Sequence, residues 1–494
     1  MTDQTMSMLA RHEAAAKDFL PRAKLLINGE ERESGSGGVF DHVNAATGRV
    51  QAQVPLAGTK EVDEAVAAAR SALGPWRAMH PTQRRQIMTE FTRLVKEHPW
   101  TEMSVLENAQ PWDQAAAMAD FSAAWLEYYT GWADRLEGTV AADNDIDGFV
   151  YTVAEPYGVI GHIITWNSPL LSLGMKLAPS LAAGNTVVVK PAEFTSFTAL
   201  EWIRLAQQAG IPKGVINLIP GGAEVGEAMV KHPGIDKISF TGGPPTAKAI
   251  MRDAAEDLTP LVFELGGKGA NLIFADADLS ATVPFACGLA LANSGQGCAL
   301  PTRMLVDRKI YDDVVAAIEQ IMPALTVGDP LVSGHISGPL VNEAALNRVT
   351  GMIDDAERNK AGRLLVGGNR MGGEFKNGYF VENTVFVDVD PGSALAQTEV
   401  FGPVLSVIPF TTEEEAVEIA NNTAYGLTNY IQTADRRRVR RLIPQLRSGT
   451  IAINGANPLH PAAPFGGNGI SGFGREGGRQ GIEEFLQVKT VLER

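Results

Sequence analysis

The sequence predicts an α/β protein: a Rossmann-like, doubly wound unit, a second α/β unit and a small β arm. Three observations predict it. Between Val159 and Leu265, short apolar runs rich in β-branched residues alternate with helical stretches, which implies a parallel sheet with crossover helices. Those runs lack the polar/apolar alternation of a half-exposed strand, as expected of strands buried on both faces. Fifty-one glycines among 494 residues point to many tight turns and close backbone approaches.

In order along the chain, Leu25–Glu30 (LLINGE) reads as a strand entering a turn at Asn28-Gly29. Helices follow over Val62–Leu73, over Thr82–Lys96 with Ile87, Phe91 and Val95 on one stripe, and over the aromatic-rich Ala115–Asp134. The alternating segment then gives strands at Val159–Thr165, Thr186–Val189, Val215–Ile219, Lys237–Phe240 and Leu261–Leu265. Its helices are Pro169–Ala183 stopped by Gly184, Ser196–Ala209 closed by Gly210, Glu224–Lys231 and Thr246–Ala255. A second α/β unit runs from about Ala270 to Gly474, with strands near Met304–Val306, Val404–Ile408 and Thr450–Asn454. Val140–Pro156 and Ile482–Glu493 fit neither unit and read as arms that pair strands with another subunit, or as loose edge strands. The resulting division assigns 1–137 and 158–263 to the cofactor domain, 264–474 to the catalytic domain, and 138–157 and 475–494 to the arm.

Composition narrows the function. With 42 basic and 57 acidic side chains the net charge is −15, which argues against nucleic acid or an anionic membrane surface as partner. Two cysteines, Cys287 and Cys298, suit a reduced compartment, and the N-terminal stretch lacks an apolar targeting core, so a cytoplasmic location is expected. The eight histidines show no metal-ligand spacing, and no metal is expected.

Ligands of doubly wound sheets bind at the carboxyl ends of the strands, and the chemically capable residues lie there. Cys298, in SGQGCALPTR, follows two glycines that let a substrate approach, and its backbone N–H can face an oxyanion. Taken alone it reads equally as a packed structural cysteine, the reading given outright to Cys287. Glu264 leaves an apolar strand into ELGGKGAN, where poor solvation raises a carboxyl toward neutrality and suits a general base; a cap on the amides of Gly266 and Gly267 is the alternative. The amide of Asn167, in ITWNSP, can stabilise an oxyanion or can cap the next helix. Lys190 and Glu193 can hold ribose hydroxyls or form a solvated pair. The joint order of these groups at successive strand ends suggests carbonyl chemistry beside a nucleotide.

These residues carry a resemblance. The chain resembles the aldehyde dehydrogenase superfamily from about Leu25 onward, through TWNSP (Thr165–Pro169), VVVKPAEFT (Val187–Thr195), FTGG (Phe240–Gly243), FELGGK (Phe263–Lys268), GQGC (Gly295–Cys298), EVFGPV (Glu399–Val404), NTAYGL (Asn422–Leu427) and PFGGNGISGFGRE (Pro464–Glu476). The resemblance implies NAD-dependent oxidation of an aldehyde to the carboxylic acid, with NADP as a secondary acceptor. It implies that Cys298 attacks the aldehyde, that Asn167 and the Cys298 N–H hold the oxyanion, and that Glu264 activates water against a thioester. Lys176 and Glu476 match a proton path behind Glu264. Thr165, Trp166, Lys190, Glu193, Gly222, Gly226, Phe240, Thr241, Gly242, Gly243, Leu265, Glu399 and Phe401 match cofactor positions, and a carboxylate at Glu193 favours NAD by repelling a 2′-phosphate.

Several positions depart from the family pattern. Thr165 stands where proline is usual, Gly243 where serine is frequent, and Ala247 where glycine commonly completes the turn, so pyrophosphate contacts are expected to be fewer. Ser168, Ser172 and Met175 leave room near the reacting carbon. Phe121, Trp125, Leu171 and Leu459 are expected at the entrance, with Gly297, Ala299 and Phe465 beside them. A bulky or apolar aldehyde is therefore expected as the small-molecule partner, and the assembly as a homodimer or homotetramer. The competing readings are a coenzyme A-acylating dehydrogenase, which generally lacks the glutamate at position 264, and a silent structural or binding member of the fold.

Overall fold

A computed structural model describes residues 6–141 and 148–494. The acidic part of the Val140–Pro156 stretch, at 142–147, lies outside the described residues. The chain opens with helix α1 (Met8–Phe19), then a tight hairpin of β1 (Leu25–Ile27) and β2 (Glu30–Arg32) around the expected Asn28-Gly29 turn, both residues having positive φ. A second hairpin, β3 (Val39–Asn44) with β4 (Arg49–Pro55), was not expected from the sequence. Four helices follow: α2 (Thr59–Ala78), α3 (Pro81–Glu97), α4 (Thr101–Asn108) and α5 (Trp112–Thr130). On α3, Phe91 and Val95 are buried as the stripe predicts.

After β5 (Phe149–Pro156) comes the doubly wound unit. Its elements in order are β6 (Val159–Ile163), α6 (Pro169–Ala183), β7 (Thr186–Lys190), α7 (Phe197–Gln208), β8 (Ile216–Leu218), α8 (Ala223–Val230), β9 (Lys237–Gly242), α9 (Pro244–Ala254) and β10 (Leu261–Leu265). The five strands are parallel and ordered β10-β9-β6-β7-β8. The order reverses between β6 and β9, and a ligand crevice opens at such a switch point. Every residue of α6 is buried, so this helix forms the interior rather than a surface layer.

The second unit is a seven-stranded sheet, built from β11 (Ala270–Ile273), helix α10 (Leu279–Leu291), β12 (Arg303–Asp307), β13 (Arg363–Val366), β14 (Thr384–Val387), β15 (Val404–Phe410), β16 (Thr428–Gln432) and β17 (Thr450–Ile453). Three of these strands were expected and four were not. The order β15-β12-β11-β16-β17 repeats the doubly wound pattern. Two boundaries need correction. The short β18 (Gly472–Phe473) pairs with β10, so the end of the expected catalytic segment belongs to the first sheet. Glu264 also sits inside that sheet, opposite Gly472.

The arms also differ from expectation. β19 (Leu486–Glu493) pairs antiparallel with β5 along its whole length, making a two-stranded ribbon within one chain. Ile482 is not in a strand; it is buried in the helix Gly478–Glu483. Pairing inside the chain satisfies one edge of each strand; the other edge of β5 is met by the backbone of Thr139 and Ala141, and the outer edge of β19 has no strand partner among the described residues.

Candidate active site

The crevice at the switch point has a volume of about 430 Å³. It is lined by Thr165 and Trp166 after β6, Lys190 at the end of β7 and Glu193 beyond it, Gly222 and Gly226 at the start of α8, and Phe240, Thr241, Gly242 and Gly243 at the end of β9. All ten were expected cofactor positions. Lys190 is buried and donates to the carbonyls of Pro191 and Gly221, at 3.0 and 2.5 Å, and burial pushes its ammonium down to about 8. The solvated-pair reading of Lys190 and Glu193 is therefore wrong. Thr241 carries a buried hydroxyl with no partner, and a Cβ on Gly222 would meet nothing. Open glycine backbone, an orphaned donor and a carboxylate at the rim fit the diphosphate and ribose hydroxyls of a dinucleotide. Pro244 and Pro245 take the first turn of α9, where their missing N–H groups cost nothing, with Gly243 as N-cap. Sequence reasoning missed Ile163, Thr246 and Ile250 on the crevice wall, small or apolar residues that carry no chemical signal. Leu265 is buried in the core of the first sheet and lies off the crevice lining.

The two units meet at this crevice. Trp166 packs edge-on against Phe401 of the second unit, with ring centroids 5.4 Å apart. Phe401 has a φ of 51°, a left-handed conformation uncommon for a bulky residue and a frequent mark of functional loops. Two residues earlier, Glu399 accepts a 2.8 Å hydrogen bond from the Gly267 N–H. A Cβ on Gly267 would collide with the carbonyl of Cys298, so this position requires glycine, and one on Gly266 would displace the Glu399 carboxylate. The cap on Gly267 is thus supplied by Glu399 and not by Glu264. Burial raises the Glu399 carboxyl to about 7.

Cys298 sits in the turn after α10, half-buried, while Cys287 is sealed in that helix as expected. The turn is fixed from both sides. The carbonyl of Ala299 accepts from Thr428 Oγ1 at 3.0 Å and from the Tyr430 hydroxyl at 2.8 Å. The carbonyl of Gln296 accepts from Asn167 Nδ2 at 2.9 Å. Asn167 does not cap α6, whose N-cap Ser168 makes no side-chain bond either. Burial, then the charges of Glu399 and Glu264, push the Cys298 thiol up to about 12. The resting sulfur is therefore protonated at neutral pH and needs a base or a bound cation before it can attack.

Glu264 is buried, and neither of its carboxylate oxygens has a hydrogen-bond partner. Burial, then the neighbouring Glu476, raise its carboxyl well above the ordinary glutamate range. Behind it Lys176 donates to Glu476 at 2.5 Å and to Ser239 Oγ at 3.0 Å, all three groups buried. The expected Lys176–Glu476 pairing is present, and Ser239 is an addition the sequence did not disclose.

The substrate-side residues divide. Leu171, Met175, Ala299 and Phe465 belong to the buried cluster against which Cys298, Phe121 and Leu459 pack. Ser172 is buried with an unpartnered hydroxyl, whereas Ser168 and Gly297 are only half-buried. Trp125 is fully buried, against Gly477 and Tyr129, and so forms an interior wall rather than the entrance expected of it. Its neighbour Phe121, one helical turn earlier, is half-exposed.

A dinucleotide crevice opening beside a cysteine and a buried carboxylate defines a nicotinamide-dependent oxidoreductase with a covalent nucleophile. The chain belongs to the aldehyde dehydrogenase family: the model described as "Aldehyde dehydrogenase family" matches residues 32–491. It is 38% identical over 480 residues to an aldehyde dehydrogenase of Alternaria alternata, covering 96% of each chain. It is 37% identical to a mitochondrial benzaldehyde dehydrogenase of Antirrhinum majus, covering 95% of this chain and 88% of that protein. Among solved structures it is similar to betaine aldehyde dehydrogenase from Staphylococcus aureus in complex with NAD+, with a TM-score of 0.94, 33% identity and coverage of 98% and 97%. The NAD+ complex of an aldehyde dehydrogenase from Bacillus cereus gives a TM-score of 0.93 at 36% identity, covering 96% of this chain and 97% of that one. The protein is an NAD-dependent oxidoreductase that oxidises aldehydes to carboxylic acids.

Proposed function

We propose that Cys298 is the nucleophile, Asn167 and the Cys298 N–H the oxyanion donors, and Glu264 the base for hydrolysis, acting on a bulky or apolar aldehyde. One observation carries the reading: the contacts that tie Asn167, the Gln296–Ala299 turn and the Glu264–Gly267 strand end into one cluster at the domain junction. The thiol of Cys298 gives its proton to solvent water and the sulfur adds to the carbonyl carbon, while the carbonyl π pair moves onto oxygen and the new oxyanion accepts from Asn167 Nδ2. NAD, when bound, supplies the acceptor for the hydride leaving that carbon. Lys190, Glu193 and Glu399 would hold its ribose hydroxyls, with Phe401 and Trp166 walling the ring. Cys298 then carries the acyl group as a thioester. Glu264 takes a proton from water as the water oxygen attacks that carbon, and the acid departs as the thiolate is restored. Lys176 and Glu476 pass the proton onward.

Small side chains at Ser168 and Ser172, with the apolar Leu171, Met175 and Phe465, favour an aldehyde of aromatic or terpenoid size. The named benzaldehyde activity of one relative is in keeping with this. The retained Glu264 favours water over coenzyme A as acyl acceptor. Homo-oligomerisation through the β5–β19 ribbon and a cytoplasmic location, the latter from two free cysteines, complete the proposal. The test follows NADH production with a panel of aldehydes. Wild type should prefer apolar aromatic or branched aldehydes. Cys298→Ala should lose turnover by at least about 10³-fold while binding NAD normally. Preference for short acidic semialdehydes would refute the substrate class, and turnover by Cys298→Ala would refute the nucleophile.

A further inference from the structure

An asparagine that serves as an oxyanion donor must present an N–H, and not its carbonyl, to the reacting oxygen. The terminal torsion of asparagine is broad and nearly two-fold, so the side chain does not choose this by itself. Its neighbours must choose for it. In this protein Thr165 Oγ1 donates to Asn167 Oδ1 at 2.8 Å. The other end of the amide, Nδ2, donates to the carbonyl of Gln296 at 2.9 Å. An amide nitrogen has two hydrogens, so one remains after the bond to Gln296.

The partners are themselves held. Gln296 Oε1 accepts from the Val341 N–H at 3.0 Å, and Gln296 Nε2 donates to the Asn293 carbonyl at 3.2 Å. The backbone carbonyl of Asn167 accepts from Asn108 Nδ2 and Asn293 Nδ2, each at 3.3 Å. Fixed at its carbonyl, at one N–H and at its own backbone, the amide is held in one orientation, with its Nδ2 end at the Cys298 turn and one N–H not used by Gln296. A flip would set Oδ1 against the Gln296 carbonyl, two acceptors face to face. The bond from Thr165 also polarises the amide and strengthens its remaining N–H as a donor. Proline, the residue the family resemblance leads one to expect at this position, has no hydroxyl and cannot make this bond.

We propose that Thr165 is a positioning residue, whose hydroxyl orients and polarises the Asn167 amide for oxyanion stabilisation, in addition to lining the cofactor crevice. The inference rests on the reading of Asn167 as an oxyanion donor. Removing one such donor costs about 10²- to 10³-fold in rate, and misaligning it should cost a part of that.

The test is a double-mutant cycle read by single-turnover NADH formation at saturating NAD, with Thr165→Val, Thr165→Ser, Asn167→Ala and the Thr165→Val/Asn167→Ala pair. Thr165→Val should slow the burst about 10- to 100-fold at NAD concentrations that saturate the variant, so that any change in NAD affinity, read by tryptophan quenching, is separated from the loss. Thr165→Ser should recover to within about threefold of wild type, since it keeps the hydroxyl. In the Asn167→Ala background, Thr165→Val should add no further loss beyond about twofold. Thr165→Ala, which removes the hydroxyl without packing a new methyl against Asn167, runs alongside in case the valine variant fails to fold. A loss that multiplies in the Asn167→Ala background, a rate unchanged in Thr165→Val or Thr165→Ala, or an effect confined to NAD affinity would overturn the proposal. An Asn167→Ala protein as fast as wild type would instead remove the oxyanion reading on which it stands.

Discussion

Glu264 carries a buried carboxyl whose two oxygens have no partner. Its raised pKa follows from burial first and from Glu476 second. The active form of a base is the ionised one, so a raised pKa moves the loss of activity upward in pH. Thioester hydrolysis should therefore still climb with pH across the range in which an ordinary glutamate is already fully ionised and the profile flat. Quenched-flow measurement of deacylation across that range checks this. Glu264→Gln should slow deacylation by about 10²- to 10⁴-fold and flatten the profile, while the first burst of NADH persists. A wild-type profile flat across that pH range, or a glutamine variant that keeps the slope, would remove Glu264 from the step. The thiol of Cys298 is pushed up to about 12, so its activation should depend on pH in the same direction.

At the scale of elements, α6 does the most positioning. It begins two residues after Asn167, carries Lys176 at its middle, and is buried over its whole length. It lies against α5 so closely that a Cβ on Gly174 would come within 2.9 Å of the Ser122 carbonyl and hydroxyl. Gly174→Val should force the two helices apart, lower stability by about 1–3 kcal/mol in chemical denaturation, and reduce kcat because Asn167 and Lys176 move together. Unchanged stability would show that the α5–α6 contact yields without strain. This helix was legible in the sequence to the residue, since Pro169 opens it and Gly184 closes it in a left-handed conformation. The β6–β10 strands were legible for a related reason: each is an apolar run bounded by turn residues. β16 was not. Its residues TNYIQ carry polar groups at every position but Ile431 yet are fully buried, because Asn429 accepts from the Ala270 N–H, Tyr430 donates to Ala299, and Gln432 donates to Asn271. A strand whose polar groups are satisfied by distant partners leaves no local pattern to read. The same applies to the site: Cys298, Glu264 and Asn167 stood out by residue type and strand-end position, whereas Gln296, Ser239 and the Thr165 hydroxyl act through contacts that only the folded chain creates.

At the scale of the whole molecule, the two doubly wound units are joined beside the crevice by Trp166 against Phe401 and by Glu399 on Gly267. The ribbon of β5 and β19 meets the first core at its Leu486 end. Val488 and Leu492 on it are 73% and 67% exposed, and Phe149 is 50% exposed. Apolar side chains on a free strand edge are the pattern of a surface that another chain covers. The proposed assembly through the ribbon predicts that Val488→Asp/Leu492→Asp lowers the mass in light scattering to that of a monomer, with NAD binding retained. A mass equal to that of the wild type would contradict the ribbon as an interface.

The central claim is that the acyl group passes through the sulfur of Cys298. Intact-mass analysis of the Glu264→Gln protein, acid-quenched after mixing with NAD and aldehyde, reads it most directly. An increase equal to one acyl group, mapped by peptide sequencing to Cys298 and absent without NAD, is the expected result. An adduct on Cys287 or another side chain, or NADH released with no adduct at any time point, would contradict it.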